Sequence, residues 1–315
     1  MPDLRTTDLV IAIACSDLHL SHQPPLARAG ESNWYAAMIR ALQQLRALKD
    51  QWKVPVIYAG DIFDRWNAPA ELINFALQYL PTGYAIPGQH DMPYHCYDLL
   101  HRSAYGTLVA AGHLNNLKEP ITLDSRAGSV TLYGFPWGTA LRSCPDAPHT
   151  FDTKIAIAHS FLWTKATGYP GAPEGGRLAS MRTNLRGYDC AVFGDNHNGF
   201  VSSIKPRDSR TTIMNCGTFM RRKADEIEYK PQVGLIRASG HIESVFLSTD
   251  NETMSANHLA AEAAVENKEA IKEFVKDLGD LSERDHDFRE TLERLMEERS
   301  IAEPVKQFVL GALES

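Results

Sequence analysis

The sequence predicts a layered α/β domain over residues 1–250, followed by a helical tail over residues 251–315. Two observations predict the first part. Short apolar runs rich in β-branched residues alternate with helical patterns, and each of these runs ends abruptly in a cluster of polar residues. A third observation predicts the tail, because amphipathic helical spacing replaces the strand pattern there.

Five of the apolar runs lack polar alternation, which is typical of strands buried on both faces. They cover residues 10–17, 54–61, 83–91, 154–160 and 190–197. Between the first three runs, Asn33 is predicted to cap a helix from Trp34 to Asp50, and Pro69 fits the first turn of another that reaches Tyr79. This alternation implies right-handed crossovers. After residue 120 six further strands are predicted, as a second sheet packed on the first.

The formal net charge of −7 is concentrated in the tail. Residues 251–315 include 16 acidic and 8 basic residues, whereas residues 1–250 include 23 acidic and 24 basic residues. Bulk composition therefore gives no strongly basic surface, and binding to a polyanion would depend on metals and a local patch. Every apolar stretch is shorter than the roughly 20 residues of a membrane helix, and the first is too short for a signal peptide. Five scattered cysteines indicate reduced thiols, so we expect a cytoplasmic protein.

The polar residues that end the five buried runs are the candidate metal-binding and catalytic residues. Ligand sites of open α/β sheets lie at the carboxyl ends of the strands, where these side chains should meet. Carboxylate, imidazole and amide groups are the ligands that hard and borderline divalent metals take. Burying so many of them together requires a compensating cation. The residues are Asp17, His19, Asp61, Asp64, Gln89, His90, Asp91, His159, Asp195 and His197.

These residues resemble the five ordered motifs of the calcineurin-like metallophosphoesterases. The motifs are Asp17-Leu18-His19, Gly60-Asp61-Ile62-Phe63-Asp64, Gly88-Gln89-His90-Asp91, His159 and Gly194-Asp195-Asn196-His197. Their spacing, and the later segment Asn215-Cys216-Gly217-Thr218, are similar to the SbcD-type DNA-repair exonuclease branch. The resemblance covers about residues 9–237 and implies two packed mixed β-sheets flanked by helices.

The resemblance also implies a role for each residue of the motifs. One divalent cation would be held by Asp17, His19, Asp61 and His197. A second would be held by Asp61, Gln89, His159 and Asp195. His90 would stabilise the transition state and protonate the leaving oxygen, with Asp91 orienting it, and Asp64 would lie outside the ligand shell or hold a loop.

Two residues depart from the family pattern. Gln89 stands where the family usually has Asn, and Asp195 stands where a histidine is usual. Carboxylate in place of imidazole makes the site harder and more negative, so the sequence favours Mn²⁺, or Mg²⁺, over zinc.

Contacts with substrate and partner are less specific in the sequence. Arg221, Arg222 and Lys223 either hold a substrate phosphate or form a charged turn, and Arg65 is a weaker candidate of the same kind. Trp66 and Tyr94 either stack on a base or belong to the packing. The acidic tail either folds back on the catalytic domain or, as the resemblance implies, docks an SbcC-type ATPase.

The function predicted from these residues is Mn²⁺-dependent hydrolysis of phosphodiesters, with DNA as the substrate of an exonuclease or endonuclease in repair. One alternative is a small-molecule phosphodiesterase or phosphomonoesterase that acts on nucleotides. Another is an inactive metal-binding scaffold that works through the tail.

Overall fold

Two mixed β-sheets of six strands each pack face to face and are flanked by helices. The computed structural model describes residues 8–145, 152–166, 174–206 and 210–255. The predicted α/β fold with two layered sheets is confirmed. The predicted helices of the tail, and with them the ATPase-docking surface, lie outside the described residues.

The first sheet has the strand order β12-β11-β1-β2-β3-β4. The neighbours from β1 to β4 run parallel, and β11 is antiparallel to both β1 and β12. Its strands are β1 (Val10–Cys15), β2 (Val56–Tyr58), β3 (Gly83–Ala85), β4 (Leu114–Asn116), β11 (Gln232–Arg237) and β12 (Ile242–Phe246).

The second sheet has the order β5-β6-β7-β8-β10-β9. Its four central strands are parallel, and the two edge strands are antiparallel to their neighbours. The strands are β5 (Ile121–Ser125), β6 (Gly128–Phe135), β7 (Thr153–His159), β8 (Cys190–Gly194), β9 (Phe200–Ile204) and β10 (Thr211–Asn215).

Three α-helices follow strands of the first sheet: α1 (Trp34–Trp52), α2 (Ala70–Tyr79) and α3 (Ala104–Ala110). The Asn33 side chain accepts a hydrogen bond of 3.0 Å from the Ala36 backbone N–H, so the predicted N-cap of α1 is present. The buried positions of α1 recur every three or four residues, which turns one face of the helix towards the sheet. They are Trp34, Ala37, Met38, Ala41, Leu42 and Leu45.

Both faces of β1 are buried because its side chains alternate between two apolar clusters. Ile13 and Cys15 join the cluster beneath the helices, whereas Ile11 and Ala14 join the cluster between the two sheets. A third cluster, which includes Tyr188, covers the outer face of the second sheet. This burial on two sides explains why the runs lack polar residues until the strands end.

Two parts of the architecture differ from the prediction. The strands β11 and β12 join the first sheet instead of the second, because β11 pairs with the edge of β1 that β2 leaves open. The helix α3 and the strand β4 were not predicted. Each is short, and the sequence of β4, Leu-Asn-Asn, lacks the apolar run of a buried strand.

The chain divides into two compact units, Met1–Ala256 and Asn257–Ser315. All five cysteines lie among the described residues, and none of them forms a disulfide. Within the described part of the chain, no helix is both long and apolar enough to span a bilayer.

Candidate metal centre

The polar residues predicted for the site meet at the carboxyl ends of parallel strands from both sheets. Asp17 and His19 follow β1, Asp61 follows β2, and His159 ends β7. Gln89 and His90 belong to a short 3-10 helix after β3, and Asp195 and His197 follow β8. Since neighbouring parallel strands end at one edge, residues far apart in sequence become neighbours here.

The two loops that carry Asp17, His19 and Asp61 are paired with each other beyond the ends of their strands. The backbone N–H of Asp17 donates to the carbonyl of Gly60 at 3.0 Å, and that of His19 donates to Asp61 at 3.0 Å. All three residues adopt left-handed backbone, with φ of 52°, 43° and 53°, as does Asp195 at 86°. Aspartate and histidine tolerate this region better than most residues, and the pairing holds them there.

Two glycines allow the loops to approach the site side chains closely. A Cβ atom at Gly60, which has φ of +99°, would lie 2.2 Å from Nδ1 of His159. A Cβ atom at Gly88 would lie 2.1 Å from Oδ1 of Asp61. Both distances are below van der Waals contact, so a side chain at either position would displace a residue of the site.

The potential ligand atoms converge around the Asp61 carboxylate. Its Oδ2 atom lies 3.4 Å from Nε2 of His159, 3.8 Å from Nε2 of His19 and 4.0 Å from Nε2 of His90. Nε2 of His19 in turn lies 3.2 Å from Nε2 of His197. Three groups of ligand atoms are close enough to share an ion: Asp17–His19–His197, His19–Asp61–His90 and Asp17–Asp61–His159.

Several of these buried atoms lack a hydrogen-bond partner among the described residues. Oδ2 of Asp61 and Nε2 of His159 have no hydrogen bond beyond their mutual ion pair at 3.4 Å, and Oε1 of Gln89 has none. Buried polar atoms are nearly always paired, and these three are a carboxylate oxygen, an imidazole nitrogen and an amide oxygen. A divalent cation would satisfy all three, so the donor set fits the metal ions that the sequence predicts.

The pKa shifts of the site residues show the same demand for positive charge. Burial alone would lower the pKa of His159, but the adjacent Asp61 carboxylate outweighs it and raises that pKa to about 10. Burial opposes the charge of Asp61, yet His159, His19 and His90 hold its pKa below the usual range. Burial raises the pKa of Asp17 to about 6. The buried carboxylates therefore favour positive charge at this point of the site.

Three histidines are oriented by groups outside the ligand cluster. Nδ1 of His159 lies 2.6 Å from the carbonyl of Ala59, and Nδ1 of His90 lies 2.7 Å from that of Asp64. Nδ1 of His197 faces the Glu226 carboxylate at 3.7 Å. In each ring Nδ1 faces a group outside the ligand cluster, so Nε2 is the nitrogen that faces the site. Glu226 was not predicted, because no motif or spacing in the sequence connects it with His197.

Gln89 and Asp195 are bonded to each other. Nε2 of Gln89 donates a hydrogen bond of 2.9 Å to Oδ1 of Asp195. Because this hydrogen bond uses Nε2 of Gln89, Oε1 is the amide atom that lacks a partner among the described residues. Asp195 belongs to none of the three groups of ligand atoms among the described residues. The Asp195 carboxylate thus contacts Gln89, and direct metal binding by Asp195 stays a prediction.

Asp91 contacts backbone instead of His90, contrary to the expectation that it orients that ring. Its buried carboxylate accepts hydrogen bonds from the N–H groups of Ile62, Phe63 and Gly88, at 3.0–3.2 Å. Burial, followed by the nearby charge of Asp61, raises its pKa to about 7. Asp91 therefore joins the two loops that carry Asp61 and Gln89.

Two of the four predicted phosphate-binding cations are already used within the protein. Arg222 donates to the carbonyl of His19 and forms an ion pair of 2.6 Å with Asp64. Arg221 pairs with Glu252 at 2.6 Å and is only 12% exposed. Both guanidinium groups thus pair with carboxylates of the protein, and phosphate binding by them stays a prediction. Lys223 is exposed in a cavity of about 430 Å³ beside His197.

Arg65 is also exposed and lines a second cavity of about 320 Å³. This cavity lies between the loop that follows His19 and the start of α2, and Asp64 contributes to its wall. Arg65 and Lys223 are thus the members of the predicted set that remain accessible to a substrate.

The fold and the cluster of ligand atoms define an α/β protein with a candidate metal-binding site. Residues 12–199 match the calcineurin-like phosphoesterases, which is more than half of the 315 residues. The chain belongs to this family, as the sequence motifs predicted.

Among solved structures, the chain is similar to a "putative 5'-nucleotidase from Staphylococcus aureus" in complex with alpha-ketoglutarate. The two share 14% sequence identity with a TM-score of 0.46, and the match covers 78% of this chain and 52% of that one. The chain thus spans about half the length of that protein. No curated protein matches it in sequence.

Proposed function

We propose that this protein hydrolyses phosphodiester bonds with two divalent cations, Mn²⁺ being the best fit, and that its substrate is DNA. The observation that supports the proposal most directly is the group of buried, unpaired ligand atoms on Asp61, His159 and Gln89. The mixture of carboxylate, imidazole and amide donors suits Mn²⁺, and Mg²⁺ is the second choice.

The ligands divide between the two cations around Asp61, which contacts both groups. Asp17, His19, Asp61 and His197 would hold one cation. Asp61, Gln89 and His159 would hold the other, with Asp195 supporting Gln89 through their hydrogen bond. When bound, the cations supply Lewis-acid polarisation of the phosphoryl group and lower the pKa of the attacking water.

His90 is the residue that would handle the leaving group. Its side chain is 43% exposed, so a substrate can reach it, and its Nε2 atom lies 4.0 Å from Oδ2 of Asp61 at the rim of the cluster. The Asp64 carbonyl accepts from Nδ1, so Nε2 faces the substrate, and in the doubly protonated imidazolium it would hold the proton that passes to the departing oxygen.

A nucleotide-sized substrate is the second candidate, and the internal ion pairs of Arg221 and Arg222 favour it. Because Arg221 and Arg222 are paired internally, two of the four predicted cations, Arg65 and Lys223, are left exposed to contact a phosphate backbone. The cavities beside the site, of about 320 and 430 Å³, have the size of small-molecule pockets.

Chelation followed by metal replacement tests the proposal. The chelated protein is incubated with Mn²⁺, Mg²⁺ or Zn²⁺ and with labelled single- and double-stranded DNA, bis-p-nitrophenyl phosphate and p-nitrophenyl phosphate. We expect Mn²⁺-dependent cleavage of DNA and of the diester. Turnover of the monoester alone would contradict the nuclease proposal. No turnover with any metal would support the alternative of an inactive metal-binding scaffold.

The variant Asp61→Asn examines the metal centre, with Asp50→Asn as its matched control on the exposed surface of α1. Replacing the shared carboxylate should lower activity more than about 100-fold and weaken Mn²⁺ binding in isothermal titration calorimetry. The control should retain both properties. Equal behaviour of the two variants would exclude Asp61 as the shared ligand.

A further inference from the structure

Two aromatic side chains, Trp66 and Tyr94, form a ring pair next to the catalytic edge. Their ring centroids are 5.7 Å apart and their planes are tilted by 48°. A second pair, His95 and Trp137, has its centroids 5.2 Å apart and extends the aromatic surface from the same segment.

The backbone places the Trp66–Tyr94 pair close to His90. Trp66 stands two residues after Asp64, whose carbonyl is 2.7 Å from Nδ1 of His90. Tyr94 stands four residues after His90, in the next turn of 3-10 helix. Both sides of the pair are therefore fixed by the loops that position the proposed proton donor.

The exposure of Tyr94 is not explained by packing. Its side chain is 74% exposed, which is the highest value among the exposed large hydrophobic residues of the described chain. Tyr94 and His95 both have left-handed backbone, with φ of 52° and 57°. Such backbone is unfavourable for the tyrosine side chain, and strain of this kind is concentrated at functional sites. The segment thus presents a large ring to solvent at an energetic cost.

We propose that Trp66 and Tyr94 form a stacking subsite for a nucleobase of the substrate, beside the phosphoester at the metal centre. This inference rests on the proposed function and specifies its substrate class as base-bearing phosphoesters. Every nucleobase offers a flat π-face to aromatic rings, so the subsite would accept any base. The exposed Arg65, next to Trp66 in sequence, supplies a positive charge for a neighbouring phosphate.

The test compares an oligodeoxynucleotide with an oligomer of the same length and charge whose sugars lack bases. The variants are Trp66→Ala, Tyr94→Ala and the conservative Tyr94→Phe. Phe246→Ala is the matched control, because Phe246 is 60% exposed on β12, outside the site. Thermal unfolding verifies that each variant is folded. Tyr94→Ala is the variant expected to disturb the packing least, because the Tyr94 side chain is exposed.

We expect either alanine variant to lower the ratio of kcat/KM between the base-bearing and abasic oligomers by about 5- to 150-fold, the range measured for stacked bases. Tyr94→Phe and Phe246→Ala should keep the wild-type ratio. An unchanged ratio in Tyr94→Ala, or equal losses on both oligomers, would overturn the proposal.

A binding measurement separates this proposal from the proposed function. Fluorescence anisotropy of the two labelled oligomers in the presence of chelator reports affinity without turnover. Tighter binding of the base-bearing oligomer by the wild type, lost in Tyr94→Ala, supports the subsite even if the protein hydrolyses neither oligomer. Equal affinity of the wild type for both oligomers overturns it even if both are hydrolysed.

Discussion

His159, His90 and His197 share one arrangement at the scale of single residues. Each ring faces an outer acceptor with Nδ1, and each turns Nε2 towards the ligand cluster. For His159 and His90 the acceptor is a backbone carbonyl, whereas for His197 it is the carboxylate of Glu226. Because a fixed tautomer determines which nitrogen can bind a metal or carry a proton, these contacts decide the role of each histidine.

Glu226→Gln should weaken Mn²⁺ binding by about 10- to 100-fold, because groups that orient a metal-binding histidine typically have effects of this size. The Glu226 carboxylate faces Nδ1 of His197 and also accepts from the backbone N–H of Lys223 at 3.0 Å. Calorimetric titration of the chelated protein measures the change. Glu228→Gln, at an exposed position two residues away, serves as the control. Equal affinities in both variants would assign Glu226 to the loop structure alone.

Gly60→Ala should destabilise the protein more than Gly138→Ala. Both glycines have positive φ, +99° and +81°, so either substitution strains the backbone. At Gly138 no atom lies within 4 Å of the added Cβ, whereas at Gly60 it would lie 2.2 Å from His159. Overpacking of this kind adds about 1–3 kcal/mol to the loss in the free energy of unfolding, which urea denaturation measures. Similar losses in the two variants would show that His159 moves aside freely.

The sequence is most informative about residues whose chemistry is unusual where they stand. A carboxylate or imidazole directly after a buried strand is improbable without a ligand, so Asp17, His19 and Asp61 could be predicted. Arg222 could not be assigned, because an arginine in a turn serves a phosphate or a carboxylate equally well. Only its contacts with Asp64 and the carbonyl of His19 distinguish the two.

At the scale of elements, a buried ion network attaches residues 248–255 to the start of α1. Arg28, which is only 1% exposed, pairs with Glu31 at 2.6 Å and with Glu252 at 3.3 Å. Arg221 pairs with Glu252 from the other side, and the backbone N–H of Ser255 donates to the carbonyl of Ala27 at 2.9 Å. The network therefore holds the segment that follows β12 against the catalytic domain.

Glu31→Gln should destabilise the protein at neutral pH, and the difference from wild type should shrink as the pH falls. Burial opposes the charge of Glu31, but the Thr253 N–H and the guanidinium groups of Arg28 and Arg40 outweigh it and lower its pKa below 4.5. A carboxylate whose folded-state pKa is lowered contributes stability above its unfolded pKa, and this is lost as pH falls through the folded value.

Urea denaturation at pH 7 and at several values below 4.5 measures this difference. Glu71→Gln is the control, because the Glu71 side chain is 68% exposed. A difference between Glu31→Gln and wild type that stays constant with pH would show that Glu31 acts through packing and not through its charge.

The elements that the sequence predicts are those with strong local signals. The β1 strand and the capped helix α1 have an uninterrupted apolar run and a complete amphipathic pattern. The sheet to which β11 and β12 belong could not be predicted, because strand neighbours are chosen by long-range pairing. The helix α3 spans only seven residues, so its pattern is too short to recognise.

At the scale of the whole molecule, the metal centre joins the two sheets. Asp17, His19 and Asp61 come from the first sheet, and His159 and His197 come from the second. The apolar cluster between the sheets fixes their separation, and Asp17 Oδ1 also accepts from the backbone N–H of Asp195 at 3.2 Å. The integrity of the site therefore depends on both layers.

Removal of residues 257–315 should leave the catalytic unit folded, since Met1–Ala256 forms a compact unit. A shorter chain that ends at Leu247 loses Glu252 and leaves Arg221 without its carboxylate partner. Breaking a buried ion pair costs about 3–5 kcal/mol, which corresponds to a fall of roughly 6–20 °C in Tm for a chain of this size. Differential scanning calorimetry compares both truncations with the full chain. A large fall in Tm for the 1–256 chain would contradict this division.

The pairing between the loops after β1 and β2 has a consequence for how the metal centre is assembled. Leu20 bonds to Ile62 at 2.9 Å and Asp64 bonds back to Leu20 at 3.0 Å, so the regular interstrand ladder extends into the loops. The spacing between the two segments is then that of adjacent strands, about 4.8 Å. The hydrogen-bonded backbone thereby sets the distance between the first two candidate metal-binding motifs, and this distance does not depend on a bound ion.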